Sequence, residues 1–378
     1  MIRFIKPDLP PPEAWLPYLQ RAYDHAWFSN FGPVHESFAD ALTAKYGSGD
    51  RIAVPVASAT TGLAAVLMAL GIRGRVVIPS FTFVATGQAV LEAGCTPVFC
   101  EVDPVTWELS ASALERLLDQ TRVDAVMPVR AYGLARDLST IETLCARHGV
   151  SMIVDSAAAL GGRLPDATWI GTQGVAEIFS LHATKTFGIG EGGVIFCAPA
   201  LAERIRRVIN FGLEDGDIRY QGINGKLDEF KAAVGLAVLQ RIDEVVVRRT
   251  RYIEYYRAGL AEEVRAGLLA LPENTGFCAF QTLPVRLASR LSAAALVEGA
   301  ASDGVELRRY YNPPLHRSTL FAPYASGVSL PHTEALSESM ICLPVHSRME
   351  AKTIERVLAA LRKNLCPVLN SSKSACGN

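Results

Sequence analysis

The stretch RIAVPVASATTGLAAVLMALGIRGRVVIPSFTFVATGQAVLEAGCTPVFCEVD, residues 51–103, alternates short strand-like runs with helix-like ones. Residues 52–56, 75–78 and 97–101 have the strand pattern, and 60–70 and 83–93 the helical pattern between them. The alternation continues with a helix over 113–118, a strand over 125–129, a helix over 138–148 and a strand over 151–154. Apolar strands separated by helices predict an α/β fold with a mostly parallel, doubly wound sheet covered on both faces. In such sheets ligands bind outside the carboxyl ends of the strands. Chemistry is therefore expected at those ends.

Three strand ends carry suitable groups. Residues 57–62, ASATTG, follow the first strand and open a helix. Free backbone N–H groups there make an anion site, to which Ser58 or Thr60 adds a hydroxyl; a plain Ser N-cap is the competing reading. After the second strand, Ser80-Phe81-Thr82-Phe83 brings aromatic rings to the same edge, or into the core. Asp155 ends the strand at 151–154 with no basic neighbour in sequence. A buried carboxylate needs a cation or hydrogen-bond donors. Capping the turn that follows is its commonplace alternative.

Residues 180–193, SLHATKTFGIGEGG, place Lys185 in a glycine-rich loop between the apolar runs 176–179 and 194–197. Burial lowers a lysine's pKa, and the neutral amine condenses with aldehydes to a Schiff base. A hairpin carrying an ordinary lysine fits the same residues. An aldehyde-binding lysine, an anion cradle, an aromatic ring and an isolated Asp are together the parts that a pyridoxal phosphate site needs.

With 378 residues, 49% hydrophobic and 20% charged, the chain can build a large core in two domains. The expected division is a large domain over 1–240, a smaller α+β domain over 241–365 and a disordered tail over 366–378. The net charge of −1, without a basic stripe, argues against nucleic acid and anionic membrane as partners. The eight cysteines show no CxxC spacing and no nearby His pairs, so neither a metal site nor a disulfide framework is expected. No secretory signal or membrane span is evident, which points to the cytoplasm.

The chain resembles the DegT/DnrJ/EryC1/StrS family of PLP-dependent (nucleotide-)sugar aminotransferases over residues 27–361. The resemblance is carried by VVIPSFTFVAT (76–86), GCTPVF (94–99) leading to EVDP (101–104), Asp155, SLHATKTFGIGEGG (180–193) and YNPPLH (311–316). It implies a type I PLP-dependent transferase (aspartate aminotransferase-like) fold. By the same resemblance, Lys185 is the Schiff-base lysine and proton shuttle, Asp155 the partner of the ring nitrogen, and Phe83 the stacking aromatic. Ser180, Thr60 and the backbone N–H of Ala59 are implied as phosphate contacts, beside Ser58 as a cofactor-binding candidate. Asn224 is implied to reach the phosphate of a neighbouring subunit, so that a homodimer shares its sites. Phe28, Ser29, Asn30, Lys226, Tyr310 and His316 fall where the family meets substrate.

The implied activity moves an amino group from L-glutamate to a keto group of a nucleotide-linked deoxysugar. Alternatives are a sugar dehydratase, in which that lysine is replaced by His, an aminotransferase for a cyclitol or other keto-sugar, and a catalytically silent regulatory paralogue. Four positions depart from the family pattern. Ala158 stands where Gln or His touches the cofactor's phenolic oxygen, Ala59 where Gly is usual, Lys226 where Arg follows the Asn, and Arg130 where His or Asn precedes the Tyr-Gly pair.

Overall fold

The computed structural model describes residues 1–273 and 275–374. Seven strands form the main sheet: β1 (Ile52–Val56), β2 (Arg75–Pro79), β3 (Thr96–Cys100), β4 (Ala125–Val126), β5 (Ser151–Asp155), β6 (Ala176–Ser180) and β7 (Gly193–Cys197). Their order is β1-β7-β6-β5-β4-β2-β3. The run from β6 to β3 is parallel, as the alternation predicts. β7 alone opposes its neighbours, pairing antiparallel with both β6 and β1. β6 and β7 are therefore the arms of a long hairpin, and the glycine-rich lysine loop is its connection. Because β1 opposes β7, it runs in the same direction as β6. The register accordingly sets Val56, Gly193 and Ser180 in one row at the carboxyl edge.

Helices α1 (Pro12–Asp24) and α2 (Pro33–Tyr46) precede the sheet, and the break between them includes Asn30 and Phe31 at positive φ. α3 (Ala59–Ala69) follows β1. Its N-cap Ser58 accepts a hydrogen bond from Thr61 N, and Leu63–Ala69 are all buried. An apolar surface on every side suits a helix enclosed by the core. α4 (Val84–Glu92), α5 (Ala111–Gln120) and α6 (Ser139–Arg147) link the parallel strands, each within a few residues of its expected position. α7 (Pro199–Val208), a short ribbon of β8 (Leu213–Glu214) with β9 (Asp217–Ile218), and α8 (Glu229–Leu239) come next.

α9 (Ile242–Gly259) and α10 (Ala261–Arg265) lead to a second sheet, β10 (Leu269–Ala270), β11 (Thr282–Leu287) and β12 (Met340–Pro344), antiparallel throughout. It packs with α11 (Ala293–Ser302), α12 (Pro331–Ser339) and α13 (Ala351–Ser374). Two details differ from expectation. The strand-like run of residues 277–285 becomes a strand only from Thr282, because Gly276 N and Phe277 O bond to Ala135 O and Arg163 N of the larger unit. α13 continues through 366–374, where a disordered tail is expected; residues 375–378 of that tail lie outside the described residues. The first residues join the C-terminal unit, Ile2 pairing with Val305. Among the described residues no helix is long and apolar enough to cross a membrane.

Candidate active site

A cavity of about 380 Å³ opens at the carboxyl edge of the main sheet. Its wall includes Ser58, Ala59 and Thr60 from the start of α3, Phe83 before α4, Asp155 and Ala158 after β5, and Ser180 and Lys185 from the hairpin. The C-terminal unit adds Tyr310, Tyr311 and Gln281, and the first residues add Phe4 and Ile5. The expected site residues from five separate segments thus meet in one place.

Lys185 sits in a tight turn, its N–H bonded to His182 O at 2.8 Å. Its Nζ donates to Gln281 Oε1 at 3.0 Å. Burial lowers its pKa to about 8, against the pull of Asp155, which favours the charged form. The amine is therefore nucleophilic in a range where an ordinary lysine is fully protonated.

Asp155 is buried, and each carboxylate oxygen has a donor: Thr86 Oγ1 at 2.7 Å and Ala157 N at 3.1 Å. Thr82 and Thr86 share a further 2.7 Å hydroxyl contact, which fixes the Thr86 rotamer. Burial raises the Asp155 pKa, opposed by Thr86, the Ala157 N–H and Lys185. The turn-capping alternative holds through Ala157 N, yet the carboxylate also faces the cavity.

The anion cradle depends on Gly193. A Cβ built there would fall 2.6 Å from Ala59 N and 2.7 Å from Ser58 C. Only a glycine at the first residue of β7 lets the start of α3 approach the strand this closely. Ser58 both caps α3 and lines the cavity, so the two readings of that residue coexist. Phe83 is 55% exposed, with its ring edge-on to Tyr310 at 6.5 Å. Helix N–H groups for a phosphate, a buried carboxylate facing the cavity for a cationic ring nitrogen, and a neutral amine for an aldehyde match pyridoxal phosphate group by group.

Phe28, Ser29, Asn30, Asn224, Lys226 and His316 do not line this cavity, whereas Arg130 does. Phe28 stacks on Phe230 at 6.1 Å, and Ser29 and Asn30 are exposed in the α1–α2 break. Lys226 Nζ donates to Asn224 Oδ1 at 2.9 Å and lies over the Phe211 ring. His316 is buried and engaged at both ring nitrogens, with Ser80 Oγ at 2.7 Å and Glu334 Oε1 at 3.0 Å. It anchors the 315–317 turn to the end of β2. Arg130 is fully buried: Nε bonds Glu177 Oε1 at 2.7 Å, Nη2 bonds Gln173 Oε1 at 2.7 Å, and Nη1 bonds Arg136 O. Gln281 escapes the sequence reading, because a single amide in an apolar strand-like run carries no pattern.

Lysine, carboxylate and cradle at these strand ends define a class, the pyridoxal phosphate-dependent enzymes. Residues 13–362 match the model of the DegT/DnrJ/EryC1/StrS aminotransferase family, and the chain belongs to that family. A Mycobacterium tuberculosis (strain H37Rv) protein is 33% identical over 376 residues, covering 96% of this chain and 90% of that one. The GDP-perosamine synthase of Caulobacter vibrioides is 32% identical, covering 91% and 93%. The crystal structure of DesI in the presence of its TDP-sugar product superposes with a TM-score of 0.89 at 31% identity, covering 99% of this chain and 95% of that one.

Proposed function

We propose that this enzyme transfers an amino group from L-glutamate to the keto carbon of a nucleotide-linked deoxysugar. The observation that carries the reading is Lys185 and Asp155 facing one cavity, the amine shifted to about 8 and the carboxylate buried. Similarity to a GDP-perosamine synthase and to DesI, solved with its TDP-sugar product, supports a nucleotide-linked acceptor.

Ser58, Ala59, Thr60 and Ser180 would hold the cofactor's phosphate, Phe83 its ring face and Asp155 its ring nitrogen. Bound there, pyridoxal phosphate supplies the aldehyde that captures the amine and the ring that withdraws its electrons. Lys185 Nζ would hold the cofactor's aldehyde at rest and, when free, would accept the proton from the donor's α-carbon and give it up on the far side of the transferring nitrogen, a 1,3-transfer. Asp155, held in orientation by Thr86, would pair with the ring nitrogen and keep its proton in place. Phe4, Tyr310 and Tyr311 narrow the cavity and exclude water around the transferring proton. The same reading divides the chain into a cofactor-binding domain over 1–240 and a closing domain over 241–365. It also pairs two copies through Asn224.

The test is the visible spectrum of the protein with pyridoxal phosphate, before and after L-glutamate, with borohydride fixation mapped to Lys185. A visible band that bleaches with glutamate supports the reading, and a nucleotide keto-sugar that restores it identifies the acceptor. A band indifferent to glutamate removes glutamate as donor. Absence of any Lys185-linked cofactor overturns the proposal.

A further inference from the structure

Gln281 reaches the reacting amine from the C-terminal unit. It lies just before β11, on the segment that crosses onto the lysine loop. Three contacts hold that segment. Thr186 Oγ1, one residue beyond Lys185, donates to Ala279 O at 3.0 Å. The buried Arg249 donates Nη1 to Phe280 O at 3.2 Å and to Val345 O at 3.2 Å, while its Nε reaches Ser347 Oγ at 3.2 Å. Gln281 Nε2 itself lies 3.4 Å from Thr184 Oγ1, one residue before Lys185. The amide is thereby oriented with Oε1 toward Nζ at 3.0 Å. Ala158, on the same cavity wall, offers no polar side-chain atom.

We propose that Gln281 is a positioning residue for the reacting amine. Its carbonyl oxygen holds Lys185 Nζ in the cavity whenever the amine is free, and so ties proton transfer to the seating of the C-terminal unit on the lysine loop. The inference rests on Lys185 being the reacting amine. An acceptor at this distance favours the charged ammonium over the neutral amine. Its loss lowers the amine's titration point, and a carboxylate in its place raises it. Packing alone predicts neither.

The experiment uses the cofactor-free protein. Lys185 is labelled with an amine reagent across pH and the labelled peptide quantified by mass spectrometry, for wild type, Gln281→Leu and Gln281→Glu. The expected midpoint falls by about one pH unit in Q281L and rises by about one unit in Q281E. In the loaded enzyme, Q281L slows the glutamate half-reaction about tenfold with little change in glutamate affinity. Should leucine disturb the fold, as checked by circular dichroism, the Q281E midpoint alone decides. Midpoints unmoved from wild type overturn the proposal. If the midpoints shift but borohydride fixes no cofactor on Lys185, the positioning role stands and the aminotransferase reading falls.

Discussion

Arg130 Nε lies 2.7 Å from Glu177 Oε1, and neither side chain has any exposure. Glu177 also accepts from Ser156 Oγ and from Gly171 N, so the pair is fully embedded in hydrogen bonds. Removing one partner of such a pair strands a buried charge, whereas replacing both with apolar groups is far less costly. Arg130→Met alone is expected to lower stability by about 3–5 kcal/mol. The double variant R130M/E177L removes the stranded charge but leaves Gly171 N, Ser156 Oγ, Gln173 Oε1 and Arg136 O short of partners, so it recovers only part of that loss, as urea unfolding will measure. The guanidinium is already engaged within the protein, which argues against Arg130 as the ligand for a donor carboxylate.

Asp155→Asn keeps the shape of the site and removes the charge. The loss expected in the half-reaction with L-glutamate, the proposed donor, is about 100- to 1000-fold, with cofactor still retained. Thr86→Val removes only the hydrogen bond that orients the carboxylate, and about a tenfold loss is expected. Rapid-mixing absorbance separates the two, and equal losses would assign the effect to packing.

The lowered pKa of Lys185 sets a pH dependence. Its amine becomes neutral as pH rises through about 8, whereas an unperturbed lysine does so near 10.5. Labelling of Lys185 in the cofactor-free protein is therefore expected to climb between pH 7 and 9 (about one unit either side of that midpoint), ahead of the surface lysines. A Lys185 that titrates with the others would contradict the burial argument.

Glu108 offers a stability measurement remote from catalysis. Its carboxyl is buried, and Oε1 lacks a hydrogen-bond partner among the described residues. Burial pushes its pKa up from 4.5 to about 7, opposed by Arg130 and Arg136. A raised carboxyl contributes stability in full below pH 4.5, and this is lost as pH rises through about 7. Glu108→Gln removes that loss, so the variant should exceed wild type by about 3 kcal/mol at pH 8. At pH 4.5 and below the two should be nearly equal.

Sharing of sites between subunits is tested by complementation. If two copies pair through Asn224 as proposed, the Lys185→Ala and Asn224→Ala variants are each expected to be inactive. Mixed by unfolding and refolding together, they form heterodimers with one site holding both the lysine and its partner's asparagine. Activity approaching half that of wild type per heterodimer would support the shared site. No recovery would place Asn224 outside the partner's site.

Much of the fold was legible because strand and helix periods are local properties. The direction of β7 was not, because a buried strand is apolar in either orientation, and only the length and path of the lysine loop make it the return arm of a hairpin. Lys185, Asp155 and the Ser58–Thr60 turn could be found from the sequence because ligand sites sit at strand ends. His316 and Arg130 show the limit. Both have chemically active side chains close to matched motifs, and both are taken up by neighbours, Ser80 and Glu334 in one case, Glu177 and Gln173 in the other. Whether a polar group faces a cavity or the core depends on contacts hundreds of positions away, such as the 236 separating Ser80 from His316.

The cavity wall draws on residues from Phe4 to Tyr311. A nascent chain emerging from the ribosome carries Lys185 long before Gln281, Tyr310 and Tyr311 have been made. Until those residues arrive the site lacks one wall. A chain cut short of Gln281 would keep the lysine and lose part of the surface that keeps water from it.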